Sequence, residues 1–236
     1  MHVAIILAKG GSIGLPDKNI LMFRDKPLIS HTIDDLRKSA CFDEIYVSTN
    51  CDKVAKISEA DGVDIIWRSD EYARNDRYVD AVNHAVDSLH TVPETITIPQ
   101  VVQPLRQPEL FQQMLSLHYP DVDSVVTVCK LESSIDWIYA IDKSTGFINQ
   151  INDIRYGDDT ARQDNYYIID NAVVSFTYAS WKRSNSITPW PYLGRHIVPV
   201  EQKHINRNFT LDIHTPDDAE WLEFISTFPN WKENRI

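Results

Sequence analysis

At 236 residues, of which 43% are hydrophobic and 24% charged, the chain is long enough to bury a sizeable core and falls in the ordinary globular range. Its formal net charge of -11 disfavours non-specific attachment to nucleic acid or anionic lipid, so any anion site has to be a local cationic pocket in a negative protein. No stretch approaches the ~20 apolar residues that span a bilayer, the apolar opening is too short for a secretory signal core, and three widely spaced cysteines, Cys41, Cys51 and Cys129, suit reduced thiols in a cytoplasmic protein.

Residues 2–7 are a short apolar run rich in Val and Ile, the pattern of a buried parallel strand. Gly10, Gly11, Ser12 and Gly14 then interrupt regular structure. A helix is expected over 27–39, with Leu28, Ile29, Ile33 and Leu36 on one face. A strand follows at 42–48, a helix at 51–61 closed by Gly62, and a strand at 63–67. Next come a helix at 79–89, a strand at 95–103 with Pro99 inside it, a helix at 108–117 and a strand at 124–130. This alternation predicts an α/β fold of βαβ units on a Rossmann-like, mostly parallel sheet with right-handed crossovers. From about residue 133 the pattern turns β-rich. Segments 137–141 and 146–151 read as a hairpin, 153–165 is polar, and 166–178 is strand-like. The last helix is expected at 216–228, where Asp217 and Asp218 suit the helix dipole. The expected organisation is one domain over 1–236, with a β-rich insertion at about 133–180 that is a candidate dimerisation element.

Open parallel sheets bind ligands beyond the carboxyl ends of their strands, and the loop at 8–19 occupies that place after the first strand. Glycines allow close backbone approach, and successive N–H groups in such a turn form an anion nest. Lys9 and Lys18 bracket the loop with charges suited to phosphate. The glycine spacing is neither a Walker A nor a GxGxxG pattern. The competing reading is an ordinary strand-to-helix turn with two solvated lysines. No GxSxG or HExxH motif supports a hydrolase. His84 and His118 fall in expected helices as surface or satisfied core groups, and the tryptophans read as core or interface.

The order of residues carries more than the glycines. Ala8-Lys9-Gly10-Gly11-Ser12-Ile13-Gly14-Leu15-Pro16-Asp17-Lys18-Asn19 is followed by Lys26-Pro27-Leu28-Ile29-Ser30-His31-Thr32-Ile33. Downstream come Phe42-Asp43-Glu44-Ile45-Tyr46-Val47-Ser48-Thr49-Asn50, then Arg68 with Asp76. Val102-Gln103-Pro104-Leu105-Arg106, Arg162-Gln163-Asp164 and Leu211-Asp212-Ile213-His214-Thr215 complete the series. In this order the chain resembles the acylneuraminate cytidylyltransferase family, the CMP-sialic acid synthetases. The resemblance implies transfer of CMP from CTP to an acidic nine-carbon sugar, with pyrophosphate leaving and Mg2+ required. It implies a nucleotide site on Ala8, Lys9, Gly10, Gly11, Ser12, Lys18 and Asn19. Arg68, Gln103 and Arg162 fall on the nucleotide and sugar side, Lys9, Lys18 and Asp212 in catalytic positions, and Asp212 with His214 at the metal. The expected partners are CTP and a small acidic acceptor, in a homodimer, without nucleic acid or membrane.

Four departures stand out. Lys9 replaces the family's Arg, which keeps charge and loses bidentate phosphate binding. Ile13 replaces a Lys. The segment from Gln103 to Arg106 is three residues shorter than the family's Q-P-T-S-P-L-R. His214 replaces the second Asp of D-I-D-T, which leaves Mg2+ to Asp212, water and phosphates, or lets His214 join Asp212 on a softer ion such as Mn2+, or reduces activity. Asp170-Asn171-Ala172 also stands where the family often has N-G-A. Arg155 and Arg162 are candidates for the acceptor's carboxylate. The acceptors in view are sialic, legionaminic and pseudaminic acids and Kdo-type sugars, with a phosphonate as the alternative. A non-catalytic nucleotide-binding protein is the reading from a different class.

Overall fold

The computed structural model describes residues 1–12, 14–130, 139–141, 144, 148–150, 167–202 and 212–227. Ile13, Arg155 and Arg162 lie outside the described residues. Strand β1 (His2–Leu7) runs into the glycine-rich loop, a single 3-10 turn at Lys18–Ile20, and a small hairpin of β2 (Met22–Phe23) and β3 (Lys26–Pro27). Then follow α1 (Leu28–Ser39), β4 (Glu44–Thr49), α2 (Asp52–Ala60), β5 (Asp64–Trp67), α3 (Tyr78–Asp87), β6 (Thr95–Pro99), α4 (Glu109–Ser116) and β7 (Ser124–Lys130). Beyond them lie β8 (Tyr139–Ile141), β9 (Ile148–Gln150), β10 (Tyr167–Thr177), α5 (Tyr178–Arg183), β11 (Ile197–Glu201) and α6 (Pro216–Ser226).

The seven-stranded sheet has the order β11-β7-β10-β6-β1-β4-β5. β10 pairs antiparallel with both β6 and β7, while the other pairings are parallel. The fold is therefore α/β with a mostly parallel central sheet, as the alternating pattern predicts. Strands β8 and β9 form the separate antiparallel hairpin expected in the β-rich stretch.

β1 shows why both faces are covered. Val3, Ala4, Ile5 and Ile6 are all fully buried, which a parallel strand with helices on each side requires. Ala4 and Ile6 pack with Leu28, Ile29, Ile33 and Leu36 of α1, Val54 of α2, Phe111 and Met114 of α4 and Leu222 of α6. Val3 and Ile5 face the other way, onto Val82, Ala85 and Val86 of α3 and onto Tyr192 and Leu193. This period-two split divides the core into two layers. Each fully buried Leu, Ile or Phe contributes on the order of 1.5–3 kcal/mol.

The expected strand at 95–103 stops at Pro99. Proline has no N–H to donate, and the next residue, Gln100, donates its N–H to the Ala172 carbonyl at 2.9 Å as the chain turns over the sheet end. His118, expected within a helix, instead lies beyond α4. Strand β11 was not anticipated from the sequence, because Pro199 interrupts its apolar run.

The order places β1 between β6 and β4. The chain leaves β1 toward one side of the sheet and later returns to its other side. That reversal is a topological switch point, and the carboxyl ends of β1 and β6 open a crevice there.

Candidate active site

The glycine-rich loop is anchored from several strand ends. Ala8 N–H donates to the Ser48 carbonyl at 3.0 Å. Gly10 N–H donates to Asn50 Oδ1 at 2.9 Å, and the Asn50 amide donates in turn to Asp70 Oδ1 at 2.8 Å. A Cβ on residue 10 would stand 2.9 Å from the Cys51 Cβ, so this close approach needs glycine. Gly11 takes φ +67, the left-handed turn from which anion nests are built. The buried Asn19 amide closes the loop by donating to the Lys9 carbonyl at 2.8 Å.

The loop borders a cleft of about 550 Å³ at the switch point. Lys9, Ser12, Lys18 and Asn19 line it from the loop, Arg68 from the end of β5, and Gln100 from beyond β6. Asn171, Trp190, Asp212 and His214 complete the far side, with Tyr72 and Tyr78 in the wall. The cleft thus gathers the expected Lys9, Ser12, Lys18, Asn19, Arg68, Asp212 and His214. Ala8 is fully buried beneath it.

The electrostatics are unusual for so acidic a protein. Burial lowers the pKa of Lys9, and the nearby Arg68 charge lowers it further. Burial also lowers that of Lys18, opposed by Asp212 and reinforced by Lys9. Arg68 is 7% exposed, and burial brings its guanidinium down to about 10. Its Nε is buried without a hydrogen-bond partner among the described residues. A desolvated guanidinium with an unpartnered Nε, sharing a cleft with two lysines, is a site built to receive negative charge.

Asp212 faces these cations. Burial raises its carboxyl pKa, and Asp170 adds to the rise, while the Gln103 amide, His214 and Lys18 draw it back. Its Oδ1 is buried with no hydrogen-bond partner among the described residues. The His214 imidazole Nε2 lies 3.5 Å from the other oxygen, Oδ2. One orphaned carboxylate oxygen fits a hard cation, and an adjacent imidazole fits a softer one. Among the described residues no group of three His, Cys, Asp or Glu forms a cage, so phosphate and water oxygens would have to complete the coordination. Asp218 is committed elsewhere. It accepts from the His214 and Thr215 N–H groups, while its own N–H bonds the Thr215 hydroxyl, a capping box at the start of α6.

The shortened segment after β6 turns inward. Gln103 is 3% exposed and donates its amide to the Asp170 carbonyl at 3.2 Å; it acts on the Asp212 carboxyl and does not line the cleft. Arg106 is buried as well. Its guanidinium donates to the Gln100 carbonyl at 2.9 Å, the Ala172 carbonyl at 3.3 Å and the Thr32 hydroxyl at 3.1 Å. It ties the end of β6 and the middle of β10 to α1 and is withdrawn from the cleft. Tyr72, Tyr78, Gln100 and Trp190 are site residues outside the expected set. Gln100 and Tyr78 are linked by a 3.3 Å hydrogen bond. Of these only Gln100 carried a usable signal, its place just past a strand's carboxyl end. Trp190, expected as core or interface, reaches the cleft from an irregular segment.

A family model described as Cytidylyltransferase matches residues 3–145. A CMP-N,N'-diacetyllegionaminic acid synthase of Legionella pneumophila is 29% identical over 62% of this chain, and the match covers 65% of that protein's length. A pseudaminic acid cytidylyltransferase of Campylobacter jejuni is 23% identical over 95% of both chains. In fold, a CMP:2-keto-3-deoxy-manno-octonic acid synthetase complexed with CTP superposes with a TM-score of 0.68 at 14% identity, over 95% of this chain and 98% of that one.

Proposed function

The chain belongs to the cytidylyltransferase family, and from that premise we propose that it transfers CMP from CTP to an acidic sugar of the sialic, legionaminic, pseudaminic or Kdo class, releasing pyrophosphate. The observation that carries the proposal is the convergence of Lys9, Lys18 and the desolvated Arg68 on one cleft that also holds Asp212. Three cations in a chain of net charge -11 make a polyanion site, and the CTP held by a protein of the same fold supports a triphosphate. The names of the Legionella and Campylobacter relatives support an acidic sugar as acceptor.

In this reading a hydroxyl of the acceptor attacks the α-phosphorus of CTP and releases its proton to solvent, the bond to the β-phosphate oxygen breaks, and pyrophosphate departs with its charge. The loop N–H groups, Lys9 and Lys18 hold the phosphates and stabilise charge as it moves onto the leaving group. Arg68 orients the bound anion, and the residues lining the cleft keep the reactants aligned. Mg2+, or Mn2+, would be held by Asp212 with His214 beside it, and when bound supplies further charge neutralisation on the phosphates. No protein nucleophile enters the scheme. A homodimer built on the β-rich segment around β8 and β9 belongs to the same proposal, and sedimentation of the purified chain tests it.

The direct test is pyrophosphate release from CTP with Mg2+ or Mn2+ across a panel of nonulosonic acids, Kdo analogues and phosphonates. Release with a sugar acid is the expected result. Release with phosphonates alone redirects the acceptor assignment. The absence of both release and a CTP-induced rise in melting temperature overturns the proposal in favour of a non-catalytic protein.

A further inference from the structure

β10 breaks register with β7 between Ile169 and Val174. Inside that break Asn171 sits at φ 57, a region non-glycine residues enter rarely and asparagine more readily than most. The bulge is firmly built. The Asp170 carboxylate is 4% exposed and accepts from the Ala172 N–H at 2.9 Å, the Thr127 hydroxyl at 2.5 Å and the Gln202 amide at 2.6 Å. The Ala172 carbonyl accepts from the Gln100 N–H and from Arg106. Buried carboxylate oxygens need such donors in place of water, and here the whole arrangement fixes the residue between Asp170 and Ala172. That residue lines the cleft, and its carboxamide has no hydrogen-bond partner among the described residues. Glycine, the middle residue of N-G-A, would hold the same backbone without a side chain, so a side chain here is an addition to the cleft rather than a need of the fold.

We infer that Asn171 is an acceptor-specificity residue: the Asp170 bulge presents its carboxamide to a neutral hydrogen-bonding substituent of the sugar, a hydroxyl or an acylamino group. A carboxamide both donates and accepts, which matches either group. The acid group of the acceptor is left to the cations. The inference rests on the proposal that this cleft takes an acidic sugar, and it adds which part of that sugar the β10 side reads.

The test is steady-state kinetics of the wild type, Asn171→Gly and Asn171→Asp, at saturating CTP, with pairs of sugar acids that differ by one hydroxyl or acylamino group. Glycine accepts φ 57 without strain, so Asn171→Gly should keep the wild-type melting temperature, CTP-induced shift and KM for CTP. Its KM for the preferred acceptor should rise roughly three- to tenfold, the worth of one hydrogen bond, and the preference within one pair should collapse. Asn171→Asp keeps the side-chain shape, loses the donor and adds charge near Asp212, so acceptor KM should rise further with no return of the preference. Wild-type acceptor KM and preference in Asn171→Gly overturn the inference while the proposed function stands. A wild-type chain that binds CTP and turns over no sugar acid overturns both.

Discussion

Replacing Arg68 with methionine should make the protein more stable and worse at holding nucleotide. Burial holds this guanidinium at about 10 against the ordinary 12.5, a displacement worth about 3 kcal/mol at roughly 1.4 kcal/mol per tenfold. At neutral pH the group is charged both folded and unfolded, so the native state carries the whole penalty. Methionine keeps the apolar stem and removes the charge. With part of the gain offset by imperfect repacking, a net stabilisation of about 2 kcal/mol is expected, or roughly 4–8 °C for a chain of this size. The nucleotide response should move the other way. At a hundredfold excess of CTP over Kd the wild type gains about 2.7 kcal/mol by mass action. Loss of a charge-assisted contact worth about 2 kcal/mol reduces that gain to about 1 kcal/mol at the same CTP concentration. Thermal melts of both proteins with and without CTP read the two effects together. A lower melting temperature without nucleotide, combined with an unchanged CTP-induced shift, would show that Arg68 is a structural post, and the reasoning from its orphaned Nε would fail.

Lys18→Met should weaken CTP binding by roughly tenfold or more, and calorimetry across the alkaline range gives a second readout. Burial lowers the Lys18 pKa, so affinity is complete below that depressed value and is lost as pH rises through it, below the usual lysine 10.5. The variant should lack that alkaline loss, and its persistence would assign it to another group. His118 gives a stability prediction away from the cleft. Burial lowers its pKa to about 4, with the His2 charge assisting and Glu94 opposing, and its Nε2 lies 2.9 Å from the Ser175 hydroxyl. The unfolded chain takes up the proton first, so this stability is complete above about 6.5 and declines as pH falls toward 4. After discounting for the partly exposed ring, the contribution is about 2 kcal/mol. Chemical denaturation of His118→Gln should show a shallower acid decline than the wild type, and an equal decline rules His118 out as its source.

The parallel half of the sheet was legible in the sequence because its strands are buried on both faces. Such runs, exemplified by Val3 to Ile6, read as continuous apolar stretches separated by helical spacing. The loop was legible because three glycines and two lysines fall where the open-sheet rule puts a ligand. What escaped reading depends on long-range contact. Nothing local to Arg106 shows that its guanidinium will cap the carbonyls of Gln100 and Ala172 and so leave the cleft. The three-residue shortening marked the segment as different without indicating the direction of the change. Trp190 carries no periodic signal, since it is held by tertiary bonds around its segment, among them Ser180 Oγ to the Tyr192 carbonyl at 2.9 Å and Ser124 Oγ to the Leu193 carbonyl at 2.6 Å. β10 was read as a strand, but its bulge was not, because the bulge arises from the Asp170 contacts across the sheet.

These features place opposite charges of the cleft under opposite pressures. Lys9, Lys18 and Arg68 lower one another's affinity for protons or are stripped of water, and Asp212 is pushed toward its protonated form by burial and by Asp170. A polyanion answers the cations, and a cation accompanying it answers the orphaned oxygen of Asp212. Anion and metal should therefore bind with positive coupling, since each relieves a charge that the other's site leaves exposed to repulsion. By reciprocity, CTP should raise the affinity for Mn2+ by the same factor that Mn2+ raises it for CTP, and titration in both orders measures that factor twice. Binding of the two in independent fashion would mean that Asp212 and the three cations answer separate ligands, and the common site argued from their convergence would have to be divided.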